Sequence, residues 1–149
     1  WLKSCAKRLQ IAEHITWHSH MPQQDLFSLY GSMHCLLFPS LHDSGGNVVL
    51  EAMSFGLPVI CLNLGGPATL VNEHCASVIA VDDGGQDAVT ERLAAAVVRL
   101  GEDEELRLRM SRAASERAAE MSWASRPAGA LALLSQSKAC RQAQRSTVC

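Results

Sequence analysis

The chain lacks an excess of either charge: 13 Lys and Arg stand against 15 Asp and Glu, leaving a net charge of −2. That balance gives no electrostatic footprint for nucleic acid or an anionic membrane. Long hydrophobic runs are missing as well. The longest falls far below the roughly 20 apolar residues that span a bilayer, so no transmembrane segment is expected. Neither a C-x-x-C pair nor an H-E-x-x-H signature occurs, and without ligand spacing no metal is expected. His14, His18, His20 and His34 are therefore read as ordinary loop or core residues, and His42 as the histidine that lines a cleft. No internal repeat is visible. The chain opens at Trp1 with no signal pattern, which is read as the start of an internal fragment.

What is present is an ordinary globular balance, 48% hydrophobic and 19% charged residues over 149 positions, enough for one domain with its own core. Six cysteines occur. Cys35 and Cys61 lie in apolar runs, where a thiol behaves as a small buried hydrophobe. A reducing, cytoplasmic compartment without disulfide staples is the expectation.

Short apolar runs alternate with helical patterns, the sign of βαβ units and a parallel sheet. Strands are expected at Ile15–His18, His34–Phe38, Pro58–Leu62 and Ser77–Val81, the second buried on both sheet faces. A helix opens at Pro22-Gln23-Gln24-Asp25, with Leu26, Leu29 and Tyr30 on one face. Another runs from Asn47 to Phe55 and is stopped by Gly56 and Pro58. A short one spans Gly65 to Val71. The last third reads as two helices. Gln86–Leu100 carries Val89, Leu93, Val97 and Leu100 as its stripe. The second starts near Glu102 and ends near Met121, with Asp103/Arg107 and Glu105/Arg109 at supportive spacing. Residues 135–149 form a polar, basic tail expected to fray.

The stretch Phe38 to Met53 carries the chemistry. Ligands of open α/β sheets bind at turns beyond the carboxyl ends of strands, and this is such a turn. Gly45 and Gly46 remove side chains, so a ligand can approach the backbone. The helix starting near Asn47 aims free N–H groups at that turn, which suits a diphosphate. Asp43 precedes the glycines and Glu51 follows; at ~1.5 Å per residue, Glu51 lies about 6 Å beyond the helix start. Ionised carboxylates accept hydrogen bonds from hydroxyls. One acid on a ribose, one on a hexose and amides between them would make a nucleotide-sugar site.

Asp43, seven intervening residues and Glu51 resemble the acid-x7-Glu motif of family-4 GT-B glycosyltransferases. Leu26-Phe27-Ser28-Leu29-Tyr30 and Phe38-Pro39-Ser40 precede it as in that family. Glu51-Ala52-Met53-Ser54-Phe55-Gly56-Leu57-Pro58-Val59-Ile60 resembles its next signature, followed by Gly65-Gly66-Pro67 and, later, Met121-Ser122-Trp123. The resemblance runs to about Leu134. It implies a Rossmann-like, doubly wound parallel sheet with a helical C-terminal region, the C-terminal half of a GT-B fold. Residues 1–134 would be a partial nucleotide-sugar-binding domain, with the N-terminal acceptor domain absent.

By that resemblance Asp43 is the catalytic-site acid touching hydroxyls of the donor sugar, and Glu51 binds the nucleotide ribose. Amides around Gly46, Asn47 and Val48 hold the diphosphate or sugar, and Ser19 and His20 pass the base. The implied reaction transfers a sugar from a nucleotide-diphosphate sugar to an acceptor hydroxyl with retention of configuration. No cofactor or metal takes part; helix amides and basic side chains stabilise the leaving group. A glycan or lipid-linked acceptor would dock through the N-terminal domain, peripherally at the inner membrane. Asp43 replaces the usual Glu, Ser44-Gly45-Gly46 replaces Gly-Phe-Gly, and Thr69 stands where Glu is common. These departures point towards bacterial polysaccharide-type members. The fragment alone is expected to be inactive. Two alternatives remain open: a nucleotide-binding or assembly module without catalysis, and another GT-B enzyme such as a nucleotide-sugar epimerase.

Overall fold

The computed structural model describes residues 1–121. Ser122, Trp123, Cys140, Cys149 and the tail at 135–149 lie outside the described residues. In chain order the elements are α1 (Leu2–Arg8), a 3-10 turn (Ala12–His14), α2 (Gln23–Tyr30) and β1 (Leu36–Phe38). Then follow α3 (Asn47–Ser54), β2 (Val59–Leu62), α4 (Gly65–Leu70), β3 (Ala76–Ile79), α5 (Gly85–Glu102) and α6 (Glu104–Glu120). The strands form one parallel sheet in the order β1-β2-β3. This is the α/β, Rossmann-like architecture the alternation predicts.

The central strand organises the core. Every residue of β2 is buried, and its side chains alternate between faces. Val59 and Cys61 join Val49 and Met53 of α3 and Ala114 of α6. Ile60 points the other way, to Leu100 of α5 and Met110 of α6. A run of apolar residues without polar alternation is thus explained by helices on both faces. Burying each large side chain contributes roughly 1.5–3 kcal/mol.

Several expectations are corrected. Ile15–His18 is not a strand: Ile15 is extended (φ −116°, ψ 117°), but the segment pairs with no strand among the described residues. An apolar, β-prone sequence favours extended backbone; a ladder also needs a neighbour. The strand at His34–Phe38 is shorter than expected and not buried on both faces. Leu37 is 46% exposed. It shares a face with Ile60 through the parallel register, but α5 packs over β2 and β3 and leaves β1 at the sheet edge. Strand β3 stops at Ile79, opposite Leu62 where β2 ends, and the Ala80 carbonyl beyond it accepts from Arg92 (3.1 Å).

In α5 the inward stripe is Val89, Leu93, Ala96 and Leu100, and Val97 faces solvent. The step of three from Leu93 keeps the row on the core side where a step of four drifts off. Helix α6 starts at Glu104, later than expected. Asp103 does not pair with Arg107; its carboxylate caps the helix by accepting from the Leu106 amide (2.8 Å). Arg107 donates to the Leu100 carbonyl (2.9 Å), whereas Arg109 meets Glu105 at 2.8 Å as the spacing predicts. Cys5, Cys35, Cys61 and Cys75 are free thiols, and burial pushes the Cys61 thiol up to about 11. No helix among the described residues is long and apolar enough to cross a membrane.

Candidate functional site

The turn after β1 is built around Asp43. Its Oδ1 accepts from the amides of Gly45 (2.9 Å) and Gly46 (2.6 Å), and its carbonyl accepts from the Gly66 amide (2.8 Å). One carboxylate oxygen thus holds the turn together, and the other is not engaged by those amides. The two glycines divide their work. Gly46 has φ +61°, a left-handed conformation that favours glycine, and a Cβ there would sit 2.5 Å from Leu70 Cδ1 and oblige that side chain to shift. A Cβ on Gly45 would meet nothing within 4 Å, so only this glycine leaves the outer side of the turn open.

Gly46 ends the turn as the N-cap of α3. Its carbonyl accepts from both Val49 (2.9 Å) and Leu50 (3.2 Å), so the Asn47 and Val48 amides precede the first helical donor and have no acceptor within the helix. Both residues are exposed. One turn later Glu51 stands on the face of Asn47 and Val48, at i+4 and i+3. It is half-buried, and Gln23 Nε2 donates to its Oε1 at 3.3 Å. The Glu51 charge reaches the α2 aromatic cluster: burial first, then this carboxylate, raises the Tyr30 hydroxyl above its ordinary value.

Beside Glu51 lies a cleft of about 540 Å³, walled by Ser19, His20, Gln23, Leu26 and Leu29 among others. The structure therefore brings Ser19, His20 and Glu51 together on one cavity. Asp43, Gly45, Gly46, Asn47 and Val48 form the neighbouring turn and helix start and do not wall that cleft. His42 is exposed and does not line it either. Gln23 went unread in the sequence. It lies 28 positions from Glu51, and its one signal is a place in the first turn of a helix behind Pro22.

Parallel strands, covering helices and a glycine turn feeding open helix amides at the strands' carboxyl ends define a Rossmann-like α/β domain. Residues 1–117 match the family model described as "Glycosyl transferases group 1", and the chain belongs to that family. It is 32% identical over 122 residues to the D-inositol 3-phosphate glycosyltransferase of Corynebacterium urealyticum, covering 82% of this chain and 28% of that protein. It is likewise 32% identical over 119 residues to the protein of that name from Corynebacterium glutamicum (80% and 27%). The chain thus spans under a third of these relatives' lengths. Among solved structures it resembles WaaG, a glycosyltransferase involved in lipopolysaccharide biosynthesis, with a TM-score of 0.69, 24% identity and coverage of 79% of this chain and 30% of that one. It also resembles the pneumococcal O-GlcNAc transferase GtfA in complex with UDP and GlcNAc (TM-score 0.70, 20% identity, 79% and 23%). At these identities the structural likeness speaks to fold: this chain corresponds to the Rossmann-like C-terminal half of a GT-B architecture.

Proposed function

We propose that this chain is the donor-binding part of a retaining family-4 glycosyltransferase that moves a sugar from a nucleoside diphosphate to an acceptor hydroxyl. The observation that carries the reading is the open Asn47 and Val48 amides at the start of α3, followed on the same face by the half-buried Glu51. The amides suit the diphosphate. Glu51 suits the ribose hydroxyls, and the cleft at Ser19 and His20 receives the base. Asp43 serves the donor sugar through the carboxylate oxygen its turn leaves free. Charge on the departing diphosphate is stabilised by fixed dipoles, with no metal or cofactor assigned a role. The acceptor is a glycan or lipid-linked hydroxyl held by a further domain, at the inner face of a membrane.

The names of the two Corynebacterium relatives favour a second acceptor, an inositol phosphate. A transfer assay with the complete enzyme, offering inositol 3-phosphate beside a lipid-linked glycan, separates the two. The donor reading is tested by a thermal-shift panel of UDP, GDP and ADP with their sugars. Ligand at 100-fold above Kd stabilises by about 2.7 kcal/mol, so one nucleotide should raise the melting temperature clearly. Flat curves throughout overturn donor binding by this chain. Nucleotide binding without transfer or donor hydrolysis by the complete enzyme favours a non-catalytic module.

A further inference from the structure

Gln23 and Glu51 come from elements distant in sequence, yet their relative placement is fixed by packing. Leu26, Phe27 and Tyr30 of α2 pack around Ala52 of α3 and the adjoining Leu57. Phe55, just beyond α3, stands 5.2 Å from the Phe27 ring and 5.9 Å from that of Tyr30. These apolar contacts seat α2 against α3, with Tyr30, Ala52 and Leu57 buried between them and Phe55 at the rim. Pro22, the N-cap of α2 at φ −57°, narrows the backbone freedom of the entry. Gln23 therefore enters the cleft wall from a held position, and its amide reaches Glu51 Oε1.

We propose that Gln23 is a positioning residue for Glu51, setting the carboxylate to receive a vicinal diol; the proposal rests on the ribose role given to Glu51 above. Glu is a flexible side chain, and a diol is gripped best when both carboxylate oxygens are presented at once. A neutral amide donor holds Oε1 by one lone pair and leaves the remaining lone pairs of both oxygens free. It also leaves the charge intact, where Lys or Arg would offset it.

The test is nucleotide binding by the full chain, with UDP, GDP and ADP each compared against its 2′-deoxy counterpart by calorimetry. The wild type should prefer the ribonucleotide, and Glu51→Ala should bring that preference close to unity. Gln23→Ala should reduce it roughly three- to tenfold, the net scale of one long, solvent-exposed hydrogen bond, with an unchanged melting temperature. Gln23→Glu, which keeps nearly the same side-chain shape but loses the amide donor, should reduce the preference at least as far as Gln23→Ala does. In the Glu51→Ala background, Gln23→Ala should change nothing more.

The ways of failing are distinguishable. An intact ribose preference in Glu51→Ala, or no binding of any nucleotide, overturns the ribose reading and the proposal with it. A collapsed preference in Glu51→Ala beside an intact one in Gln23→Ala overturns the role of Gln23 alone. A further loss from Gln23→Ala without Glu51 makes Gln23 a direct ligand contact and overturns positioning.

Discussion

The Gly66 amide donates to the Asp43 carbonyl at 2.8 Å, so the turns following β1 and β2 are joined backbone to backbone. The approach is too close for side chains. A Cβ on Gly66 would stand 2.7 Å from the Ser44 carbonyl oxygen, and one on Gly65, at φ +61°, would stand 2.5 Å from that of Asp43. The Gly65-Gly66 pair thus shapes the candidate site by supporting the Asp43 turn from behind.

Gly66→Ala is accordingly expected to destabilise the chain by about 1–3 kcal/mol, the cost of forcing atoms into a packed contact. Urea denaturation checks it. Since the obstructing atoms are backbone, no rotamer change relieves the clash, and a variant as stable as wild type would contradict the packing described.

Asp43 combines a turn role with a proposed donor-sugar role, and two substitutions separate them. Asp43→Ala removes the acceptor of two amides and should cost about 1–2 kcal/mol, as loss of a side-chain cap does. Asp43→Asn keeps a carbonyl oxygen for those amides and should stay within roughly 0.5 kcal/mol of wild type. In the complete enzyme, however, both should lose transfer activity. Full activity in Asp43→Asn would confine the residue to shaping the turn.

Glu51→Ala should weaken nucleotide binding by roughly 1–3 kcal/mol, the scale of losing hydrogen bonds to a charged group. Calorimetry with the nucleotide selected by the thermal-shift panel reads this directly. Unchanged affinity would remove Glu51 from the ribose.

Asp82 and Arg92 clamp the end of β3 through two hydrogen bonds, at 2.8 and 2.9 Å. Hydrogen bonds from Arg92, then that from the Gly84 amide, hold the Asp82 carboxyl down at about 2, against an ordinary value of 3.8. A depressed folded-state pKa means stability that is fully present above 3.8 and lost as pH falls towards 2. In a carboxyl-carbon NMR titration, Asp82 should show a midpoint well below 3.8, and Arg92→Gln should move it upward. Identical midpoints in the two proteins would show that the pair does not form in solution.

The sequence was most legible where local chemistry decides. Gly56 (φ +73°) stops α3, and the unbroken apolar run of β2 announces burial on both faces. The glycine turn, the helix start at Asn47 and the spacing that sets Glu51 one turn along were equally visible. So was the Glu105–Arg109 pair, which needs only helical geometry. The sequence misled wherever one local motif had two uses. Asp103 could pair at i+4 or cap a helix, and the break between α5 and α6 made it a cap. Val97 and Ala96 both fit an apolar stripe; packing against Ile60, Leu100 and Met110 chose Ala96.

Taken by itself, then, the sequence determined the α/β class, most element positions and the family motifs, because periodicity, capping and glycine conformation act over a few residues. Tertiary structure alone decided which apolar strands are covered, leaving Leu37 at an open edge and Ile15–His18 unpaired. It alone set Gln23 beside Glu51 and Gly66 against Asp43. Such contacts depend on how separate elements pack, and no local pattern records the partner that a distant segment will supply.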